Sequence, residues 1–219
     1  MEAIAVSCQR NFDMAGLLVE ERNFIGGMLD QSNRDLYSGH HKKSISKIQT
    51  PNSCWKIRMT DKEFALWLKS CNSYYLFFDG ASKSNPGKAG AGGNICNARG
   101  DIVLAYEWGL GSTSNNKAEA LALYQGLLQL QTLDIRTATV IGDSAIIISL
   151  MAHNRTATNL LLQQTLNRCK YLAQQMQKVH FIHVLRSHNK EADACANRAC
   201  LKPLGNLSRN AIESFCFLP

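Results

Sequence analysis

The chain has 219 residues, of which 45% are hydrophobic and 19% charged, and this composition excludes a wholly disordered protein. Its net charge is +7, and residues 74–219 carry 14 basic against 9 acidic side chains, which suits a polyanionic partner. Because it contains neither an apolar run of about 18 residues nor a signal-peptide pattern at its start, we expect an intracellular protein with no membrane partner.

Residues 1–73 are predicted to form an extension or linker. Up to about residue 51, short apolar patches alternate with polar runs, as in a linker or a poorly ordered leader. Thr60 and Glu63 then have the spacing of a capping box, and an apolar helix face follows them. This spacing predicts a short helix over residues 61–70 that packs beside the main domain.

Three strands are predicted after this helix. Residues 74–78 are an aromatic run that ends at Asp79 and Gly80. A turn at Asn85-Pro86-Gly87 leads into a strand of small residues at 89–96, and a second turn leads into a strand at 102–108. The tight connections imply an antiparallel meander.

Helical and strand patterns alternate in the rest of the chain. Helices are predicted over residues 115–131, 144–150, 160–177 and 190–200, and strands over residues 137–142 and 179–185. Either Asp143 or Ser144 can cap the second of these helices. The order βββαβααβα predicts an α/β fold with a five-stranded mixed sheet and helices on its faces. This domain is expected over residues 74–202, with a C-terminal tail at 203–219.

Four carboxylates stand where predicted elements begin or end. Asp79 ends the first strand, Glu119 lies in the first turns of the central helix, Asp143 follows the fourth strand, and Asp193 lies near the start of the last helix. Side chains at such positions can converge on one edge of the sheet, where their repulsion calls for divalent cations. Their oxygens suit Mg²⁺, with Mn²⁺ as a substitute. Taken singly, Glu119 or Asp193 is better explained as a solvated acid or as an acid that the helix dipole favours near a helix N-terminus.

Six short motifs carry a family resemblance. They are Phe78-Asp79-Gly80-Ala81-Ser82, Asn85-Pro86-Gly87, Gly90-Ala91-Gly92-Gly93, Ser114-Asn115-Asn116-Lys117-Ala118-Glu119, Gly142-Asp143-Ser144 and Asn189-Lys190-Glu191-Ala192-Asp193. In this order and spacing they resemble the type 1 ribonuclease H family, and in detail the domains of plant retroelements and of the plant reverse transcriptase-like group. The resemblance covers about residues 74–200.

The resemblance implies a ribonuclease H-like fold and an endonuclease that hydrolyses the RNA strand of RNA–DNA hybrids. It implies that Asp79, Glu119, Asp143 and Asp193 are catalytic ligands of two Mg²⁺ ions. Asp79 and Asp193 would hold the ion that orients the attacking hydroxide, and Asp79, Glu119 and Asp143 the ion that stabilises the leaving oxygen. The expected partner is an RNA–DNA hybrid bound by a monomer, and the products should carry 5′-phosphate and 3′-hydroxyl ends.

The resemblance also implies a substrate groove. Its expected lining is Gly80, Ser82, Asn85, Asn115 and Asn116, where asparagine side chains and backbone groups sense 2′-hydroxyls. Asn115 has a second interpretation, as the N-cap of the central helix.

The sequence departs from many relatives in three places. His188 lies in the loop where relatives carry a histidine that aids product release, so it is a candidate assisting residue, although the loop is short. Ala145 stands where a glutamine often touches the hybrid, and the long basic protrusion of some relatives is missing. These departures imply a weaker grip on substrate, unless the basic N-terminal segment supplies it.

Three other interpretations are open. A catalytically decayed, retroelement-derived module would bind nucleic acid without cutting it, but all four acids are present. Another nuclease of the wider superfamily, such as a transposase, integrase or exonuclease, would lack the strings at 114–119 and 189–193. A structural protein whose acids only cap helices would not gain thermal stability from Mg²⁺. The physiological hybrid and the compartment, cytoplasm or nucleus, are left open.

Overall fold

The structure, a computed structural model, describes residues 55–211; the predicted leader at 1–51 lies outside this range. The elements in chain order are α1 (Asp61–Cys71), β1 (Tyr74–Ser82), β2 (Gly87–Cys96), β3 (Ile102–Thr113), α2 (Asn115–Thr132), β4 (Thr137–Gly142), α3 (Ala145–Ala152), α4 (Leu160–Gln174), β5 (Lys178–His183), a 3₁₀ turn (Arg186–His188), α5 (Lys190–Ala199) and β6 (Leu207–Ala211). Within the described residues, no helix has the length and apolarity needed to cross a lipid bilayer.

The strands form one mixed sheet in the order β5-β4-β1-β2-β3-β6. The predicted antiparallel meander of β1, β2 and β3 is confirmed, and β4 and β5 run parallel to β1. The prediction of five strands is wrong by one, because β6 pairs antiparallel with β3. The sequence Leu-Ser-Arg-Asn-Ala of β6 is polar and carries too weak an alternation to indicate a strand.

Strand β3 continues to Thr113, beyond the predicted end at residue 108. The added residues, Gly-Leu-Gly-Ser-Thr, favour a loop when they are considered alone. They form a strand because they pair with the start of β2, from Gly87 to Gly90, across an irregularity at Ala89. Tertiary pairing here overrides local propensity.

The helix ends confirm one predicted cap and correct two others. The capping box of α1 is present: the Glu63 amide donates to Thr60 Oγ1 at 3.4 Å, and the Thr60 amide donates to Glu63 Oε2 at 2.8 Å. Ser144 precedes α3 but makes no capping bond, and the Asp143 carboxylate accepts a hydrogen bond from Asn189 instead. Asn115 is not an N-cap, because it is the first residue of α2.

Apolar residues cover both faces of the sheet. Alternation along β1 places Leu76 and Phe78 on one face and Tyr75 on the other. Leu76 and Phe78 belong to the larger core, which includes buried residues of α2, α3 and α4. Tyr75 belongs to a smaller cluster with Phe64 of α1 and Ile182 of β5. The helix predicted over residues 61–70 therefore packs on the sheet as expected.

Helix α5 lies directly on β2, where Gly92 leaves room for its backbone. A Cβ atom at Gly92 would lie 2.3 Å from the amide nitrogen of Ala196. This separation is much shorter than a van der Waals contact, so the close packing of α5 on β2 requires glycine at this position. The position of Asp193 on α5 depends on the same packing.

We therefore predict that Gly92→Ala lowers the free energy of unfolding by about 1–3 kcal/mol, because the added methyl group overpacks the contact between α5 and β2. Urea denaturation monitored by circular dichroism measures the change. Ser112→Ala, at an exposed position of β3, is the control and should change stability by less than about 0.5 kcal/mol. Equal unfolding midpoints for the two variants would contradict the packing argument.

Candidate active site

Asp79 and Asp143 lie side by side because β1 and β4 are parallel neighbours in register. The last paired residues of the two strands are Phe77 and Ile141, and each acid follows two positions later, Asp79 within β1 and Asp143 directly after the end of β4. The carboxyl ends of parallel strands meet at one edge of the sheet, so this register alone brings two carboxylates together.

Glu119 joins them from the second turn of α2. The carboxylate oxygens of Asp79, Glu119 and Asp143 can all lie within 4.8 Å of one another. Gly80 makes this approach feasible, because a Cβ atom there would lie 2.1 Å from the Glu119 amide nitrogen. We call Asp79, Glu119 and Asp143 the acid cluster.

Two carboxylates of the acid cluster, Asp79 and Glu119, are buried, and Asp143 is half-buried. Asp79 is 4% exposed and Glu119 6% exposed. Burial, then the charges of Asp143 and Asp193, raises the pKa of Asp79 to about 8. Burial and the charges of Asp79 and Asp143 raise the pKa of Glu119 well above its usual value. Among residues 55–211, Glu119 Oε2 is buried and has no hydrogen-bond partner, and an oxygen of this kind has the chemistry of a ligand for a hard cation.

Asp193, the fourth predicted acid, lies near the cluster but outside that triad. Its charge reaches Asp79, whose pKa it helps to raise. Its Oδ1 pairs with Arg186, and its Oδ2 accepts a hydrogen bond from Asn197 at 3.0 Å. The structure thus brings three of the four predicted acids into contact range and holds the fourth against an arginine.

The predicted groove residues lie at the same end of the sheet as the acid cluster. Asn85 and Asn115 are brought together, because the Asn115 amide donates to Asn85 Oδ1 at 3.0 Å. Ser82 Oγ lies within hydrogen-bond distance of the carbonyl oxygens of Ser84 and Thr113 and can donate its one proton to either of them, so the hydroxyl group is engaged within the fold. Asn116 is exposed in the first turn of α2.

His188 is turned away from the acid cluster and into α1. Its side chain is 3% exposed and stacks on Phe64, with ring centroids 4.4 Å apart. Its Nε2 donates to the Met59 carbonyl at 2.8 Å. This placement argues against the predicted help with product release, because the ring is already engaged within the fold.

Sequence reasoning assigned no role to two residues that contact the acids. Asn189 is 1% exposed and donates to Asp143 Oδ1 at 2.8 Å and to the Phe78 carbonyl at 3.0 Å. Arg186 pairs with Asp193. Asn189 is the first residue of the motif at residues 189–193. Its position directly before the helix that carries Asp193 could have indicated a contact with the acids.

The chain is similar in sequence to proteins of a known family. The sequence profile described as Reverse transcriptase-like matches residues 77–199. Ribonuclease HI of Halobacterium salinarum is 30% identical over 125 residues, which are 57% of this chain and 63% of that protein. The bifunctional protein Rv2228c of Mycobacterium tuberculosis is 32% identical over 122 residues, 55% of this chain but 34% of that protein. The chain thus covers about a third of its mycobacterial relative.

Solved structures of ribonucleases H1 also resemble this chain. The crystal structure of ribonuclease H1 from Halobacterium salinarum matches with a TM-score of 0.56 and 29% identity, over 58% of this chain and 96% of that chain. The structure of LC11 ribonuclease H1 in complex with an RNA/DNA hybrid matches with a TM-score of 0.55 and 26% identity, over 58% and 96% of the two chains.

The raised pKa of Asp79 predicts how stability depends on pH without divalent metal. From about pH 4 to about pH 8 the unfolded chain releases this proton while the folded protein keeps it, so stability falls as pH rises. In EDTA, the melting temperature of the wild type should fall between pH 5 and pH 8 by at least about 3 °C more than that of Asp79→Asn, roughly 1 kcal/mol for a domain of this size.

Differential scanning fluorimetry at several pH values measures both curves. Because the amide of Asp79→Asn does not titrate and carries no charge to raise the pKa of Glu119, the difference between the two curves measures Asp79 together with its effect on Glu119. Parallel curves for the two proteins would show that Asp79 ionises normally in the folded state.

Proposed function

The chain belongs to the reverse transcriptase-like family and has the ribonuclease H-like fold that its motifs predict, and from this we propose that it is a metal-dependent endonuclease that hydrolyses the RNA strand of RNA–DNA hybrids. The Halobacterium salinarum relative and the two structural neighbours described above are named as ribonucleases H, and one of those neighbours was solved with an RNA/DNA hybrid. The proposed substrate is therefore the same class of nucleic acid.

The acid cluster carries this proposal. Three carboxylates within 4.8 Å, of which Asp79 and Glu119 are buried, are costly for the fold unless a cation compensates them. Burying Glu119 Oε2 with no hydrogen-bond partner among residues 55–211 costs free energy, and a role of the acids as helix caps would not offset that cost. The arrangement suits hard, oxygen-seeking divalent ions, and we propose Mg²⁺ with Mn²⁺ as a substitute.

Two ions fit the ligand set by charge. We propose that Asp79, Glu119 and Asp143 hold one ion and that Asp79 and Asp193 hold the other. Ions bound there would supply a nucleophilic hydroxide at neutral pH and offset the charge that develops on the phosphate. The side chains would supply ligands at fixed positions. The backbone amide of Gly80 lowers the pKa of both Asp79 and Glu119 by hydrogen bonding.

Arg186 would have a part in the second site. It forms an ion pair with Asp193, and its charge also lowers the pKa of Asp79 and Glu119. An ion on Asp193 would take the place of this guanidinium, which is on an exposed side chain and free to turn toward a substrate phosphate.

Substrate recognition is proposed for the groove beside the cluster. The backbone amide of Asn115 donates to Asn85 Oδ1 and so fixes the Asn85 side chain, whose Nδ2 group can then face a 2′-hydroxyl. Lys83 adds a positive charge at the margin, where its Nζ donates to Asn197 Oδ1 at 2.7 Å. Attraction of phosphates to such side chains supplies affinity, and contact with the 2′-hydroxyl distinguishes RNA from DNA.

We predict that the wild type cuts the RNA strand of a labelled RNA–DNA hybrid with Mg²⁺ and that Asp79→Asn lowers kcat/KM at least about a hundredfold, roughly 2.7 kcal/mol of transition-state stabilisation. The variant loses a ligand that both proposed ions share. Gel analysis of the hybrid, beside single-stranded and double-stranded RNA, measures rate and specificity, and labelled ends test for 5′-phosphate products.

Asp134→Asn is the matched control, because Asp134 is an exposed acid in a turn with φ of 51°, a conformation that asparagine tolerates. It should cut like the wild type. A folded wild-type protein that binds the hybrid but cuts it with neither Mg²⁺ nor Mn²⁺ would favour the decayed binding module instead.

A second prediction concerns the groove. Asn85→Ala removes one neutral hydrogen bond to the RNA, so it should raise KM for the hybrid about threefold to tenfold and change kcat less than twofold. Asn97→Ala is the control: Asn97 Oδ1 also accepts backbone bonds, from Arg99 and Asp101, but at the opposite end of β2. Steady-state kinetics that show the same KM for both variants would remove Asn85 from the groove.

A further inference from the structure

The first described residues form a segment that is hydrogen-bonded to β5, the strand at one edge of the sheet. We call residues 55–71 the strap; they precede the predicted start of the domain at residue 74. The Ile57 amide donates to the His183 carbonyl at 2.9 Å, and the His183 amide donates to the Trp55 carbonyl at 2.6 Å. The Trp55 ring also lies edge-on to the His183 ring, with centroids 6.0 Å apart. The strap therefore fixes His183 through its backbone and its side chain.

The strap holds a second histidine, His188, in the 3₁₀ turn before α5. The ring of His188 is enclosed by three strap residues: it donates to the Met59 carbonyl, lies 3.2 Å from the Asp61 carboxylate, and stacks on Phe64. These contacts fix the turn that leads directly into Asn189.

His183 and the residue after His188, Asn189, both contact Asp143. His183 Nε2 lies 3.2 Å from the Asp143 carbonyl, which can only accept a hydrogen bond, so this nitrogen donates. Asn189, the residue after His188, donates to Asp143 Oδ1 and to the Phe78 carbonyl. The Asn189 amide thus joins the ends of β1 and β4, and Asp143 is held at its backbone and at its carboxylate.

We propose that the strap is a positioning element of the active site, acting through His188 and Asn189 to fix the Asp143 carboxylate for a divalent ion. The inference deepens the function proposed above and rests on it. Partners that orient metal ligands typically change metal affinity or activity by about 10- to 100-fold when they are removed. The strap accordingly belongs to the catalytic unit, although it lies outside the family match at residues 77–199.

The test compares His188→Phe with Tyr75→Phe in the full chain. His188→Phe retains an aromatic ring to stack on Phe64 but removes both polar contacts of the histidine. Tyr75→Phe is the matched control, because it removes another strap hydrogen bond, from the tyrosine hydroxyl to the Leu68 carbonyl, far along α1 from Asp143. Melting temperatures confirm that both variants are folded. Calorimetric titration with Mn²⁺ in the absence of hybrid then measures metal affinity directly.

His188→Phe should bind Mn²⁺ about tenfold more weakly than the wild type and lower kcat by a similar factor, with KM for the hybrid changed less than twofold. Tyr75→Phe should match the wild type in both measurements. His188→Gln, whose amide can still donate to the Met59 carbonyl, should recover most of the affinity. A purely structural role of the strap would instead lower the melting temperature of His188→Phe and Tyr75→Phe alike and leave Mn²⁺ affinity unchanged.

The two proposals fail in different ways. If the wild type binds Mn²⁺ but cuts no hybrid, the proposed nuclease function is overturned, and the binding comparison still decides the role of the strap. If the wild type cuts and His188→Phe binds Mn²⁺ with unchanged affinity, the positioning role is overturned and the function stands.

Discussion

The mutual repulsion of the carboxylates of Asp79, Glu119 and Asp143 is the constraint on which the rest of the structure depends. Their oxygens can lie within 4.8 Å of one another, and Asp79 and Glu119 are buried, so the bare cluster opposes folding when it is ionised. The parallel register of β1 and β4 and the absence of a side chain at Gly80 force the carboxylates together. A fold that is built to create such a repulsion gains from it only when cations bind, which is why the site points to metal-dependent chemistry.

The surroundings of the cluster both relieve and exploit this repulsion. Arg186 offsets part of the negative charge through Asp193, while Asn189 donates a hydrogen bond to Asp143 and so orients its carboxylate. These two residues belong to one short segment between β5 and α5, and His188 within it is held by the strap. Arg186, His188 and Asn189 lie within the family match at residues 77–199, whereas the strap that holds His188 precedes it.

Much of the fold and the candidate acids could be predicted from the sequence, because both depend on local patterns. The aromatic run before Asp79 and the branched run before Asp143 indicated strands that end in an acid. The polar strand β6 could not be predicted, since its pairing partner is distant in sequence. The orientation of His188 could not be predicted either, because it depends on a contact with Phe64, which lies far away in the chain. Sequence spacing places a side chain at the right end of the sheet, but only packing decides which way it turns.

The central claim is that the acid cluster binds divalent ions, and anomalous diffraction from crystals grown with Mn²⁺ tests it most directly. Data collected near the manganese absorption edge locate the ions independently of any assumed role. The account predicts an anomalous peak between Asp79, Glu119 and Asp143, and a second between Asp79 and Asp193 with Arg186 displaced. Well-ordered acids with no peak between them, at Mn²⁺ concentrations that support cleavage by ribonucleases H, would contradict it.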